Sequence, residues 1–334
     1  MTETSAPRVE REPRKSQGVG ASVLRKEDDR FLRGRGQFVG DIRLADMQDV
    51  AFVRSPLAHA RLAAIHIPLS LRDRVFVADD LKGVRPIRAV SGLKGFKPSD
   101  QPILATGKVR QVGELIAMCV APTRAEAEDV VAQVRLDLEE LPAVHDMLAA
   151  RRPGSALVHE EWGDNVFLET FVDIGIEQAL DAPIRVTREI STARQCMAPI
   201  EGRGVVAAFD RRLDQLTLHS ATQMPHIVRN GLSECLSVEQ GRIRIVAPDV
   251  GGGFGYKGIL LPEEVCLGWL AMRCGFPLRW LEDRREHLSA GANCREHHYR
   301  ITAYADRDGR LRGIDCEATV DSGAYSSYPF SACL

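Results

Sequence analysis

The chain has 334 residues, 44% of them hydrophobic and 27% charged, which is enough apolar surface for a core and excludes a wholly disordered polypeptide. Lys and Arg number 44 against 46 Asp and Glu, a net charge of −2, so no whole-protein field draws the chain to nucleic acid or to an anionic membrane. At roughly 150 residues per domain the length suggests about two domains.

The first segment, 1–17, mixes Arg8, Arg11, Arg14 and Lys15 with Glu3, Glu10 and Glu12 and has no apolar run of the secretory type; it is expected to be a mobile arm. Segments 38–42 and 50–54 read as extended. Residues 114–121 are a short apolar run suited to a buried strand. Thr123 and Glu126 then form a capping box that opens a helix to about Val134, with Ala127, Val130, Val131 and Val134 on one face. In 135–139, Leu136 and Leu138 alternate with Asp137 and Glu139, as in a half-buried strand. Segment 151–175 carries few periodic signals and reads as a surface linker.

Beyond it, 183–190, 205–209, 216–219 and 242–246 read as strands and 227–236 as a helix. A second helix is predicted over 262–273, with Gly275 just past its end and Pro277 forbidding continuation. Residues 278–281 predict a strand. Residues 299–305 and 310–320 predict a hairpin turning at 306–309. The last stretch, 321–334, finishes on apolar residues, as if more polypeptide completed the fold.

The longest apolar stretch, 258–276, is broken by Glu263, Glu264 and Arg273, so no membrane span is expected and the expected location is the cytoplasm. None of the eight cysteines forms a Cys-x-x-Cys pair. They are expected to be reduced and, in the runs around Cys119 and Cys266, buried; any iron–sulfur cluster would belong to another chain.

The sharpest feature is the loop Gly251-Gly252-Gly253-Phe254-Gly255-Tyr256-Lys257-Gly258, between a predicted strand and a predicted helix. Four glycines in five positions cost entropy unless the backbone must turn tightly or lie against a ligand. Its exposed N–H groups would cradle an anion. Gly253, Gly255 and Gly258 also match the dinucleotide fingerprint, but Glu282 and Asp283 follow too late and the loop lies too deep in the chain. A ligand-free structural turn is a further alternative. A Walker loop is excluded, because no Gly-Lys is followed by Ser or Thr. Gln223, just after a predicted strand, offers an amide donor and acceptor on a rigid edge. Glu296, His297 and His298 read as strand residues rather than metal ligands, because adjacent side chains point apart. The run 282–287 reads as a solvated, salt-bridged turn. No Gly-x-Ser-x-Gly elbow is present.

In order along the chain, ATQMPH, VGGGFGYK, PLRWLEDRREHL and DSGAYSS resemble the molybdenum-binding large subunit of the xanthine oxidase, aldehyde oxidase and carbon monoxide dehydrogenase family. RKEDDRFLRGRGQFVGDI, AFVRSPLAHARL and VRQVGELIAMCVAPTRAEAEDVV resemble that family's N-terminal hammerhead domain, and QCMAPIEGRGVVAAFD the segment opening its cofactor domain. The resemblance implies an α+β (mixed α/β) fold: an α/β hammerhead domain over 18–150, then an incomplete molybdopterin-binding domain over 176–334. It implies molybdopterin with molybdenum, in bacterial members often as the cytosine dinucleotide. The implied partners are an iron–sulfur small subunit, an FAD-binding medium subunit and a further chain carrying the rest of the molybdenum domain. The implied activity is a two-electron oxidation, with oxygen from water, of carbon monoxide, an aldehyde or an N-heterocycle. Gln223 would approach the metal's oxo ligand, with Gly252, Gly253, Phe254 and Gly255 at the cofactor. Tyr256 and Gly258 stand where other members touch substrate, and no side chain here ligates the metal directly. The family's catalytic Glu falls beyond Leu334. A non-catalytic assembly or binding subunit of the same descent is the second reading.

Overall fold

A computed structural model describes residues 17–329. The expected arm at 1–17, apart from its last residue, and the final five residues of the apolar finish lie outside the described residues. Among the described residues, those up to Gln37 form one unit and those from Phe38 onward another. The first is built on a short helix, α1 (Asp28–Leu32), braced by ion pairs from Arg25 to Asp28 (2.7 Å) and from Arg33 to Asp29 (2.8 Å).

In the second unit, 38–42 is not extended. Val39–Asp41 is a single 3-10 turn, because the Asp41 carboxylate accepts the Phe38 N–H at 2.9 Å and the buried Val39 packs with Ile42, Val206 and Ala221. Strands β1 (Gln48–Arg54), β2 (Ala60–His66) and β3 (Val75–Val77) follow. Three two-residue strands come next: β4 (Ile87–Arg88), β5 (Asp100–Gln101) and β6 (Lys108–Val109). Then come β7 (Leu115–Ala121), α2 (Arg124–Gln133), β8 (Arg135–Glu140) and the single turn α3 (Met147–Ala150). The capping box of α2 is formed: Glu126 N–H donates to Thr123 Oγ1 (3.3 Å) and Thr123 N–H to the Glu126 carboxylate (3.1 Å).

Segment 151–175 runs along the surface but is pinned at His159, which is buried, stacks on Trp162 and donates to the Ala324 carbonyl at 2.7 Å. The remaining elements are β9 (Ile184–Thr192), β10 (Gly204–Asp210), β11 (Gln215–Ser220), α4 (Pro225–Leu236), β12 (Ile243–Val246), α5 (Pro262–Cys274), β13 (Leu278–Leu281), α6 (Arg284–Ala290), β14 (Glu296–Ala305) and β15 (Leu311–Asp321).

Seven strands form one mixed sheet in the order β12-β11-β10-β13-β1-β7-β3. Strands from the first and the last third of the chain meet where β1 runs parallel to β13, with Asp49 opposite Arg279. That register pair is also a bidentate ion pair, 2.7 and 2.9 Å. Helix α5 packs on β10 and β11, and α2 on β1 and β7. Alternate β1 residues therefore enter different cores, Val50 and Phe52 with Leu267 and Trp280, Val53 with Val130 and Val134. Burial on both faces is why β1 and β7 read as unbroken apolar runs. A second sheet, β15-β14-β9, leaves Val186, Ile190 and Ile314 about half exposed. Cys119 and Cys266 are buried, and burial pushes the Cys119 thiol up to about 12; the seven described cysteines are all free. No helix of the described residues is long and apolar enough to cross a membrane.

Candidate functional site

Strands β11 and β12 are parallel neighbours joined through α4, with Leu216 opposite Ile243 and His219 opposite Val246. Their C-terminal ends therefore lie side by side, the place where open sheets present ligands. Gln223 follows β11, and the glycine loop follows β12. The two segments are stitched together. Gln223 N–H donates to the Lys257 carbonyl (2.9 Å), the Thr222 hydroxyl donates to the same carbonyl (3.1 Å), and Gly255 N–H donates to Gln223 Oε1 (3.0 Å). The last bond fixes the carboxamide's orientation, because the oxygen is spent inward and Nε2 is left as a free donor.

Close approach explains the glycine at 253. A Cβ there would sit 2.5 Å from Gln223 Oε1, closer than atoms can pack. Phe254 adopts a left-handed φ of +53°, which an L-residue holds only under constraint, and its ring is 69% exposed. Among the described residues, the N–H groups of Gly252, Gly253 and Phe254 have no hydrogen-bond partner. Three unspent amide donors and a carboxamide NH2 thus lie together along one stretch of backbone. Such fixed dipoles suit oxygen, sulfur or phosphate acceptors, since they need little reorganisation on binding.

The next three residues turn inward. Tyr256, Lys257 and Gly258 form a buried 3-10 turn. The Tyr256 side chain, which stands at a substrate position by resemblance, is only 1% exposed; its hydroxyl donates to Glu282 and its ring packs edge-on against His287. Gly258 is equally enclosed. Lys257 Nζ donates to Glu201 Oε2 at 2.7 Å, and the same oxygen accepts Gly251 N–H at 2.7 Å.

Behind the loop lies a buried ionic cluster that sequence reading missed. Arg203 pairs with Glu263 (3.0 Å) and Glu264 (2.6 Å), and Arg54 pairs with Glu263 (3.1 Å) and Glu286 (3.0 Å). Burial would raise the Glu263 carboxyl, but Arg203 and then Arg54 overcome it and hold it down to about 2. Burial raises Glu264, which has Arg203 alone and the repulsion of Glu263. The run 282–287 is accordingly not a solvated turn. The Glu282 side chain is buried, accepting from the Arg203 N–H (2.9 Å) and from His287 Nδ1 (3.0 Å), and Asp283 caps α6. Two adjacent glutamates opening an otherwise apolar helix were the available signal, since buried carboxylates need buried cations. His297 and His298 lie on β14 as expected, and no cluster of His, Cys, Asp and Glu among the described residues could hold a metal ion.

Residues 158–333 match the family described as "Molybdopterin cofactor-binding domain", and residues 33–142 match "Aldehyde oxidase and xanthine dehydrogenase, a/b hammerhead domain". The chain is 35% identical to the nicotine 6-hydroxylase large subunit of Paenarthrobacter nicotinovorans, an alignment covering 93% of this chain and 39% of that protein. Its fold superposes on quinoline 2-oxidoreductase from Pseudomonas putida 86 with a TM-score of 0.88 at 36% identity, covering 96% of this chain and 41% of that one. The nicotinate dehydrogenase large molybdopterin subunit of Eubacterium barkeri is 26% identical, and there 93% of this chain covers 72% of a much shorter relative. The chain thus spans about two fifths of the length of the first two proteins.

Proposed function

Since the chain belongs to the molybdopterin-binding aldehyde oxidase and xanthine dehydrogenase family, we propose that it supplies the hammerhead domain and the front half of the cofactor cradle of a molybdenum hydroxylase large subunit. The observation that carries this reading is the row of unspent N–H groups at Gly252, Gly253 and Phe254 beside the free Nε2 of Gln223. That donor set fits the acceptor groups of molybdopterin, its oxo, dithiolene and phosphate atoms.

The bound group supplies two-electron oxidation chemistry with oxygen drawn from water. This chain's residues position it. Gln223 Nε2, its orientation locked by the Gly255 N–H on Oε1, would donate to an acceptor of the cofactor. The backbone of 252–254 provides the fixed amides. The exposed Phe254 would be available to face substrate, whereas Tyr256, buried and with its hydroxyl engaged, holds the loop from behind. Glu282 is bonded to Tyr256, and Glu201 is bonded through Oε2 to Lys257 and Gly251, with Oε1 buried and unpartnered among the described residues. By the family resemblance, the general base would be supplied by further polypeptide, either a continuation, in line with the lengths of the first two relatives, or a second chain, in line with the shorter nicotinate subunit. An N-heterocycle is the favoured substrate, by the names of the nicotine and quinoline enzymes. Electrons would leave to an iron–sulfur small subunit and an FAD-binding medium subunit, with the cytosine dinucleotide as the cofactor form.

The test is metal analysis and pterin fluorescence on the assembly purified with its partner polypeptides. Stoichiometric molybdenum and pterin are expected. A well-folded assembly that contains neither would overturn the reading.

A further inference from the structure

The loop is pinned on its exposed side by Gln223 and on its buried side by a single carboxylate. Glu201 Oε2 accepts two donors at once, the Gly251 N–H and Lys257 Nζ, each at 2.7 Å. These donors lie at the two ends of the glycine turn. The Glu201 N–H in turn donates to the Gly251 carbonyl at 3.2 Å, so Gly251 is gripped through both its N–H and its C=O. Gly251 permits the approach, since a Cβ there would fall 2.5 Å from Glu201 Cβ. Glu201 itself is fixed from outside, because Arg284 donates to the carbonyls of Pro199 (2.7 Å) and Ile200 (3.1 Å) just before it. The Lys257 side chain is fully buried. It faces Glu201 and Glu282 as counter-charges and Arg203 as a like charge. A buried ammonium bound to a carboxylate that also holds backbone is a clasp of fixed length, and the unspent amides at 252–254 lie between its two ends.

We propose that Glu201 is a positioning residue: by clasping Gly251 and Lys257 through one oxygen it sets the span of the loop, and so the spacing of the amides at 252–254 that receive the cofactor. The proposal rests on the reading of the loop as the molybdopterin cradle, but its first consequence is a property of the protein alone. In the purified assembly, the peptide containing Gly251 should exchange its amide hydrogens about tenfold faster in Glu201→Ala, the expected effect of losing one such bond. Retention of molybdenum and pterin should fall about 10- to 100-fold, the usual cost of removing a group that orients a metal site from behind. Glu201→Gln keeps an oxygen for Gly251 but removes the charge, and should lie between Ala and the wild type in both readouts.

Glu201→Ala strands the Lys257 ammonium, which alone could unfold the region. The double variant Glu201→Met with Lys257→Met removes both charges, and such replacements of buried pairs are commonly neutral for stability. It should melt near the wild type yet still exchange fast at Gly251 and retain little cofactor. Full cofactor and unchanged exchange in that double variant would overturn the clasp. Absence of pterin from the wild-type assembly would instead overturn the reading of the site, while leaving the exchange result to judge the clasp.

Discussion

The two sides of the glycine loop contrast sharply. On the outer side, Gln223, Phe254 and Gly255 are exposed, and three N–H groups go unpaired among the described residues. On the inner side, Tyr256, Lys257 and Gly258 are buried, with the Tyr256 hydroxyl and the Lys257 ammonium both spoken for. One eight-residue segment is therefore half ligand surface and half anchor. The difference teaches which residues can meet a ligand: those whose donors are unspent, and not those, such as Tyr256, that merely occupy the next position.

The contrast can be broken first from the inner side. Arg203→Met removes the shared cation of Glu263 and Glu264, leaving Glu264 buried without a cation and Glu263 with Arg54 alone; about 3–5 kcal/mol of stability should be lost, read as a lower melting midpoint of the assembly. An unchanged midpoint would mean the anchor does not depend on charge. The same cluster sets an acid limb. Glu263 is held at about 2 against an ordinary 4.5, so its contribution is complete above about 4.5 and fades as the pH falls through 2. A melting series across that window should be flatter for Glu263→Gln than for wild type. Glu264, raised by burial, favours the native state in the opposite direction and cannot account for the limb.

The outer side is tested by Gln223→Ala, which removes a preorganised donor from the reacting group. Turnover of the loaded assembly should drop about 10²- to 10³-fold with little change in melting. If it does not, the chain is better described as the non-catalytic assembly subunit. Gly253→Ala is milder. Its Cβ must displace the Gln223 carboxamide, and cofactor retention should fall about 10- to 100-fold, with an overpacking cost of about 1–3 kcal/mol in stability. Equal losses from an alanine at Gly241, which has open space around it and no left-handed φ, would erase the distinction.

Local chemistry is legible in the amino-acid sequence. The Thr123–Glu126 box, the apolar run of β7, and the Pro262 start and Gly275 stop of α5 involve neighbours along the chain, and each element forms where the residues predict it. The pairing of Gln223 with the loop is legible too, though only through the order of motifs, since 32 residues separate Gln223 from Gly255. Long-range charge is not. Glu286 reads as solvated because its partner Arg54 lies 232 residues away, and Lys257 gives no sign of the Glu201 that holds it. The 3-10 turn at Val39–Asp41 escapes for a smaller reason: the segment reads as extended, but the Asp41 side chain competes for the backbone.

The most direct measurement is amide hydrogen exchange over the peptide spanning 250–257, comparing the molybdopterin-loaded assembly with the same assembly stripped of cofactor. The amides of Gly252, Gly253 and Phe254, free in the protein alone, should become protected on loading, while that of Gly251, already bonded to Glu201, changes little. Equal exchange of 252–254 in the two states would contradict a cofactor seated on this backbone.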